Sequence, residues 1–68
     1  MILKAPFITL SQLLKIEGFI ESGGQAKFFL QQEKVFVNGQ LETRRGRKLV
    51  SGDTVEVMGS TILLEDEI

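Results

Sequence analysis

The period of the apolar residues changes once along this chain, near Val35, and that change limits the folds open to it. Upstream, Leu10, Leu13 and Leu14 recur at the i, i+3, i+4 spacing of an amphipathic helix, and Ala26, Phe29 and Leu30 lie on one face of a second. Downstream, Val35 and Val37 alternate with other residues, as do Val55 and Val57. Asn38-Gly39 is the strongest short hairpin signal available, because both central residues of a type I′ turn need positive φ. Two helices followed by a small, mostly antiparallel sheet make an α+β domain.

Local chemistry sharpens these limits. Phe7-Ile8-Thr9 fits a short strand, and Thr9 with Gln12 has the spacing of a capping box, so a helix of about two turns starts near Leu10. Gly18, just past Glu17, suits the position after its last turn. Ser22 with Gln25 repeats the capping spacing and starts the second helix across Gly23 and Gly24, with Lys27, Gln31 and Lys34 on its polar, basic face. Val35 and Val37 are expected to face the core, with Leu41 opposite. Turns are expected at Ser51-Gly52-Asp53 and Gly59-Ser60.

Composition excludes several functions. Sixty-eight residues allow one small domain, residues 1–68, near the size at which a single core suffices. Without Cys or His there is no disulfide framework, no thiolate or imidazole metal site, and no ordinary acid–base residue for neutral pH. No cofactor, metal, catalytic residue or small-molecule substrate is expected. Asp53, Glu56, Glu65, Asp66 and Glu67 lack the density of a calcium loop and read as a turn cap, a solvent-facing strand residue and a frayed acidic tail over 65–68. No stretch approaches the apolar length of a transmembrane helix, so a monomeric, cytoplasmic protein without a membrane partner is expected.

Charge is unevenly placed. The formal net charge is -1, yet four of the eight Lys and Arg residues, Arg44, Arg45, Arg47 and Lys48, lie within one six-residue run. Three of the four are Arg, whose planar fork suits bidentate phosphate contacts, and Gly46 lets the backbone bend between the pairs. The alternative is a solvated, solubilising loop. Ser22-Gly23-Gly24-Gln25 at a helix start, with Lys27 one turn further on, can likewise offer amides and charge to an anion, or simply form a tight helix entry. Lys15 can complement its own helix dipole. All five aromatics are Phe and none lies in the basic run, which argues against a base-stacking platform. Phe19 and Phe29 are expected in the core, with Phe28 and Phe36 unassigned.

Leu13-Leu14, Gly18, Ser22, Ala26, Val35, Val37-Asn38-Gly39, Leu49 and Gly52-Asp53 with Val55 and Val57 together resemble the S4 RNA-binding domain over about residues 10–58. Ser22 to Lys27 with Arg44 to Leu49 look like the small stand-alone bacterial S4 proteins of the YaaA and YbcJ type. The resemblance implies an αL motif, two helices packed on the sheet, gripping structured RNA, plausibly ribosomal RNA or a ribosomal particle, without catalysis. It implies contacts from Ser22, Gly23, Gly24, Gln25, Lys27, Arg44, Arg45, Arg47 and Lys48, with Lys15, Gln31 and Lys34 as secondary candidates. Many S4 domains carry Arg after the Ser, where this chain has Gly23, so backbone amides and the downstream arginines must do more.

Three other readings compete. A β-grasp sulfur carrier shares the Asn-Gly and Gly-Asp pattern but needs a terminal Gly-Gly, and this sequence ends Glu65-Asp66-Glu67-Ile68. A helix-turn-helix DNA binder reads bases from the first turns of its second helix, which here begins with two glycines. A protein-interaction module could turn the basic loop towards an acidic partner.

Overall fold

The computed structural model describes residues 1–66. Strands β1 (Ile2–Leu3) and β2 (Ile8–Thr9) precede helix α1 (Leu10–Ile16). The Thr9 Oγ1 accepts from the Gln12 amide at 3.2 Å and Gln12 Oε1 accepts from the Thr9 amide at 2.8 Å, the reciprocal box expected from the spacing. Gly18 ends the helix at φ +83°, with the Gly18 amide on the Lys15 carbonyl and the Phe19 amide on the Leu14 carbonyl. That pair of bonds is a Schellman termination, and only a residue at ease with positive φ completes it cheaply.

The second helical segment departs from expectation at its start. Gly23–Gln25 form a 3-10 turn and the α-helix proper, α2, runs from Ala26 to Gln32. Gln25 Oε1 accepts from the amides of Glu21 and Ser22, so it ties the entry from inside the turn. Ala26 and Leu30 are buried as their spacing requires. Lys34 lies beyond the helix end, so it does not share the exposed face of Lys27 and Gln31.

Strands β3 (Val35–Val37), β4 (Gln40–Leu41), β5 (Lys48–Leu49), β6 (Thr54–Val57), β7 (Ser60–Leu63) and β8 (Glu65–Asp66) follow. Four of them form an antiparallel sheet in the order β4-β3-β6-β7. β2 pairs with β5 antiparallel, and β1 pairs with β8 in parallel. The fold is therefore α+β, a small antiparallel sheet with two short helices. Leu10, Leu13 and Leu14 of α1, Ala26 and Leu30 of α2, and Val35, Val37, Val55 and Val57 of the sheet share one core with Leu3, Ile20, Leu49, Ile62 and Leu64. Phe19 and Phe29 pack on it half-buried, their ring centroids 5.9 Å apart.

Three further expectations are corrected, and one unassigned residue is placed. Leu41 is 56% exposed, because it pairs with Phe36 on the outer face of the sheet. The last hairpin turns at Met58-Gly59, φ +48° and +80°, and Ser60 already pairs with Val57. Phe28 is 69% exposed. The acidic end is not frayed through its described part: Glu65 and Asp66 pair with Ile2 and Leu3, and the Met1 amine donates to the Leu63 carbonyl at 2.8 Å. Glu67, also in the expected tail, lies outside the described residues.

Candidate nucleic-acid interface

The basic run is organised around a carboxylate that the sequence reading passed over. A two-residue turn at Asn38-Gly39 pairs Val37 with Gln40 and Phe36 with Leu41, which brings the next residue, Glu42, across from Val35 on the inner face. The Glu42 amide donates to the Val35 carbonyl at 2.8 Å, and the residue is only 6% exposed. An unpaired carboxylate there would cost several kcal/mol. Five donors surround it instead: the amides of Thr43 (3.1 Å) and Arg44 (3.0 Å), Arg44 Nε (3.0 Å) and Nη2 (3.1 Å), and Arg47 Nη1 (2.8 Å). The Arg44 guanidinium bonds, above all, hold the Glu42 pKa down to about 2 against the opposing effect of burial.

Two consequences follow for the cations. Arg44 and Arg47 are fixed in place by one carboxylate, so the four cations with Glu42 amount to 4 - 1 = +3. Their outer guanidinium edges still face outward, since the Arg44 side chain is 73% exposed and that of Arg47 is 32% exposed. Arg45 is exposed and forms no ion pair among the described residues. Lys48, on β5, places Nζ 4.9 Å from the centroid of Phe7. An aromatic thus does stand beside the basic run, delivered by the pairing of β2 with β5 rather than by sequence adjacency.

The loop is also bolted to the start of α1. The Arg47 carbonyl accepts from the Leu10 amide at 2.8 Å and the Arg45 carbonyl accepts from the Ser11 amide at 2.9 Å. These bonds satisfy donors that a helix start otherwise leaves open, so the first turn of α1 offers little to an anion. A tight turn at Arg45-Gly46, with the Arg47 amide on the Arg44 carbonyl at 3.3 Å, sets the spacing of the two bolts.

Ser11 links this loop to the glycine-led turn. A Cβ at Gly23 would lie 3.4 Å from Ser11 Oγ, so the start of the second helical segment sits directly on the residue whose amide holds Arg45. Ser22, Gly23, Gly24, Gln25 and Lys27 are all exposed around that point. Gln31 is exposed one turn further along α2. Lys15 lies in the last turn of α1, at the opposite end from the loop, and Lys34 stands beside Phe36 and Met58 at the sheet. The structure therefore gathers the two main clusters and leaves Lys15 and Lys34 apart.

A polar clamp fixes the sheet end of the loop. Asn38 Nδ2 donates to Asp53 Oδ1 at 2.9 Å, Asn38 Oδ1 accepts from the Thr54 amide at 2.9 Å, and Asp53 Oδ2 accepts from the Val50 amide at 2.9 Å. The Asn38 amide bond, followed by that from Val50, lowers the Asp53 pKa. Asp53 thus caps its turn as expected, and no group of metal ligands occurs among the described residues. No helix among the described residues is long and apolar enough to cross a membrane.

Of the residues missed, Glu42 was accessible from the hairpin register alone. Ser11 and Phe7 carry no comparable local signal.

Comparison with known proteins decides the family. The S4 domain matches residues 1–65. The chain belongs to the S4 domain family. Among its relatives, the Bacillus subtilis protein named "Probable ribosome maturation protein RlbA" is 54% identical over 52 residues, covering 76% of this chain and 73% of that protein. The Escherichia coli protein named "Putative RNA-binding protein YbcJ" is 44% identical over 59 residues, covering 87% of this chain and 84% of that protein. Both are small S4 proteins, as the basic run and the glycine-led turn imply. No solved structure matches the chain. Within the S4 frame, Gly23 sits beside Ser11 without needing positive φ, and a Cβ there would stand 3.4 Å from the Ser11 hydroxyl, about van der Waals contact.

Proposed function

We propose that this S4 domain is a cytoplasmic, non-enzymatic RNA-binding protein that docks on structured RNA, ribosomal RNA in particular, through phosphate and shape. The observation that carries the reading is the junction at Ser11, where the Arg45 carbonyl and the Gly23 turn meet on one residue. Arg44, Arg45, Arg47 and Lys48 form one side of the grip; Ser22, Gly23, Gly24, Gln25 and Lys27 form the other, in the manner of an αL motif. The names of the Bacillus subtilis and Escherichia coli relatives support RNA and, for the former, ribosome maturation. Glu42 is a positioning residue: it engages Arg44 Nε and Nη2 and Arg47 Nη1 for orientation and leaves the other guanidinium N–H groups for phosphate oxygens. Phosphate contacts of this kind hold backbone and shape and carry no base information.

The test is binding of a labelled ribosomal RNA fragment across a salt series. Four independent phosphate contacts would give a slope of log affinity on log salt of about -3 to -4, whereas the neutralising effect of Glu42 lowers the expectation to about -2 to -3. Arg45→Ala is the informative variant, because Arg44 and Arg47 substitutions also strip a buried carboxylate of its partners. A folded Arg45→Ala/Lys27→Ala protein that binds with wild-type affinity and slope would refute the proposed grip.

A further inference from the structure

We infer a second interaction surface, at the far end of α1 from the basic loop, that takes a protein segment with a large apolar anchor flanked by Lys or Arg. A groove of about 650 Å³ runs between the connector after α1, the outer side of α2 and the Met58-Gly59 turn. Phe19, Phe28, Phe29 and Met58 line it. Phe28 is 69% and Met58 60% exposed, and the two share this one groove. Met58 moreover holds φ +48°, a backbone position that its side chain does not favour. Strain of this sort persists where the presented side chain has a use.

Charge selects the occupant. The charged residues lining the groove are Glu21 and Glu33, both acidic, and neither forms an ion pair among the described residues. Phosphate would be repelled here, so base stacking on Phe28 is disfavoured even though Phe28 neighbours Lys27. A second copy of the chain would bring the same two carboxylates to face their equals. A basic peptide meets apolar wall and acidic rim together, the pairing of central anchor and polar rim that characterises protein interfaces. The loop contacts Leu10 and Ser11, while the groove begins at Gly18, beyond the end of the seven-residue α1. Roughly 10 Å of helix separates the groove from the basic loop, while Gln25 borders both the groove and the glycine-led side of the grip, so the two surfaces adjoin there.

The probe is a random-peptide display library selected on the full chain, with selected peptides then titrated by fluorescence anisotropy and mapped by amide chemical shifts. Enriched sequences carry a large apolar residue beside Lys or Arg, shift the amides around Phe28 and Glu33, and bind at least about tenfold more weakly to Phe28→Ala and to Glu21→Lys/Glu33→Lys, the loss expected for a central anchor and its rim. Arg45→Ala leaves their affinity unchanged, which separates this surface from the RNA grip. Failure to enrich any peptide, enrichment of acidic ones, or equal binding by both folded groove variants overturns the inference. So does an RNA titration that shifts the amides of Glu33 and Met58 as strongly as the loop, or a wild-type dimer that Phe28→Ala dissolves.

Discussion

The two hairpin turns of the sheet have nearly the same backbone and opposite chemistry. Asn38-Gly39 stands at φ +52° and +80°, Met58-Gly59 at +48° and +80°. The first position of each is left-handed, which costs an ordinary L-residue about 1–2 kcal/mol and Asn less. Asn38 adds two side-chain bonds, to Asp53 and to the Thr54 amide, and through Asp53 it restrains Val50 next to the basic strand β5. Met58 gains nothing comparable and exposes its side chain in the apolar groove. One turn is built for stability and positions the basic end of the molecule. The other gives up stability to present a side chain.

Substitutions can break that contrast in a graded way. The largest effect is expected at Asn38→Ala, which loses the tolerance of positive φ and strands Asp53 and the Thr54 amide, at a cost of about 2–3 kcal/mol by denaturant unfolding. Asn38→Gly keeps the backbone freedom and loses only the bonds, so it should recover about 1 kcal/mol of that loss. Equal stability of the two variants would show that tolerance of positive φ contributes nothing beyond the clamp.

Next in size, Glu42→Gln should cost about 1–3 kcal/mol, because an amide cannot receive the same set of charged donors. Its pH signature is distinct. Glu42 has a folded-state pKa below its unfolded one, lowered from 4.5 to about 2, so its contribution is full above about pH 4.5 and is lost as pH falls through about 2. Asp53, also lowered, acts in the same direction. Acid unfolding of Glu42→Gln should therefore show a shallower dependence across that window, with the remaining slope due to Asp53. The same variant frees one net positive charge and should steepen the salt slope for RNA while loosening the arginine geometry.

Arg45→Ala is expected to leave stability within about 0.5 kcal/mol and to make the salt slope shallower by about 1, as loss of one phosphate contact requires. The smallest effect is at the second turn, where Met58→Asn or Met58→Gly should stabilise the fold by about 0.5–1 kcal/mol. Met58→Gly should at the same time weaken the selected peptides. Stabilisation without loss of peptide binding would place Met58 outside the groove's function.

Much of this architecture is legible locally. The Thr9–Gln12 box, the Gly18 termination, the buried pairs Val35/Val37 and Val55/Val57 and the Asn38-Gly39 turn each depend on residues within a few positions of one another, and all appear as the spacing predicts. The basic run and the glycine-led turn were visible as candidates for the same reason. At Leu41 register outranks apolarity: with a two-residue turn, Leu41 follows Phe36 outward and Glu42 follows Val35 inward. Phe28 points outward because α2 is short and its neighbours Phe29 and Leu30 already fill the inward side.

By itself, then, the sequence determined the α+β succession, the caps and turns, the inward valines, and where positive charge is concentrated. These follow from hydrogen bonds and side-chain periods that close over two to four residues. Only the tertiary structure decided that Glu42 holds Arg44 and Arg47, that Ser11 joins the loop to Gly23, that Lys48 lies over Phe7, and that Glu65 pairs with Ile2. Each of these needs either the phase in which a strand edge meets the core or a contact between segments distant in sequence, and local propensity carries no record of which distant partner arrives.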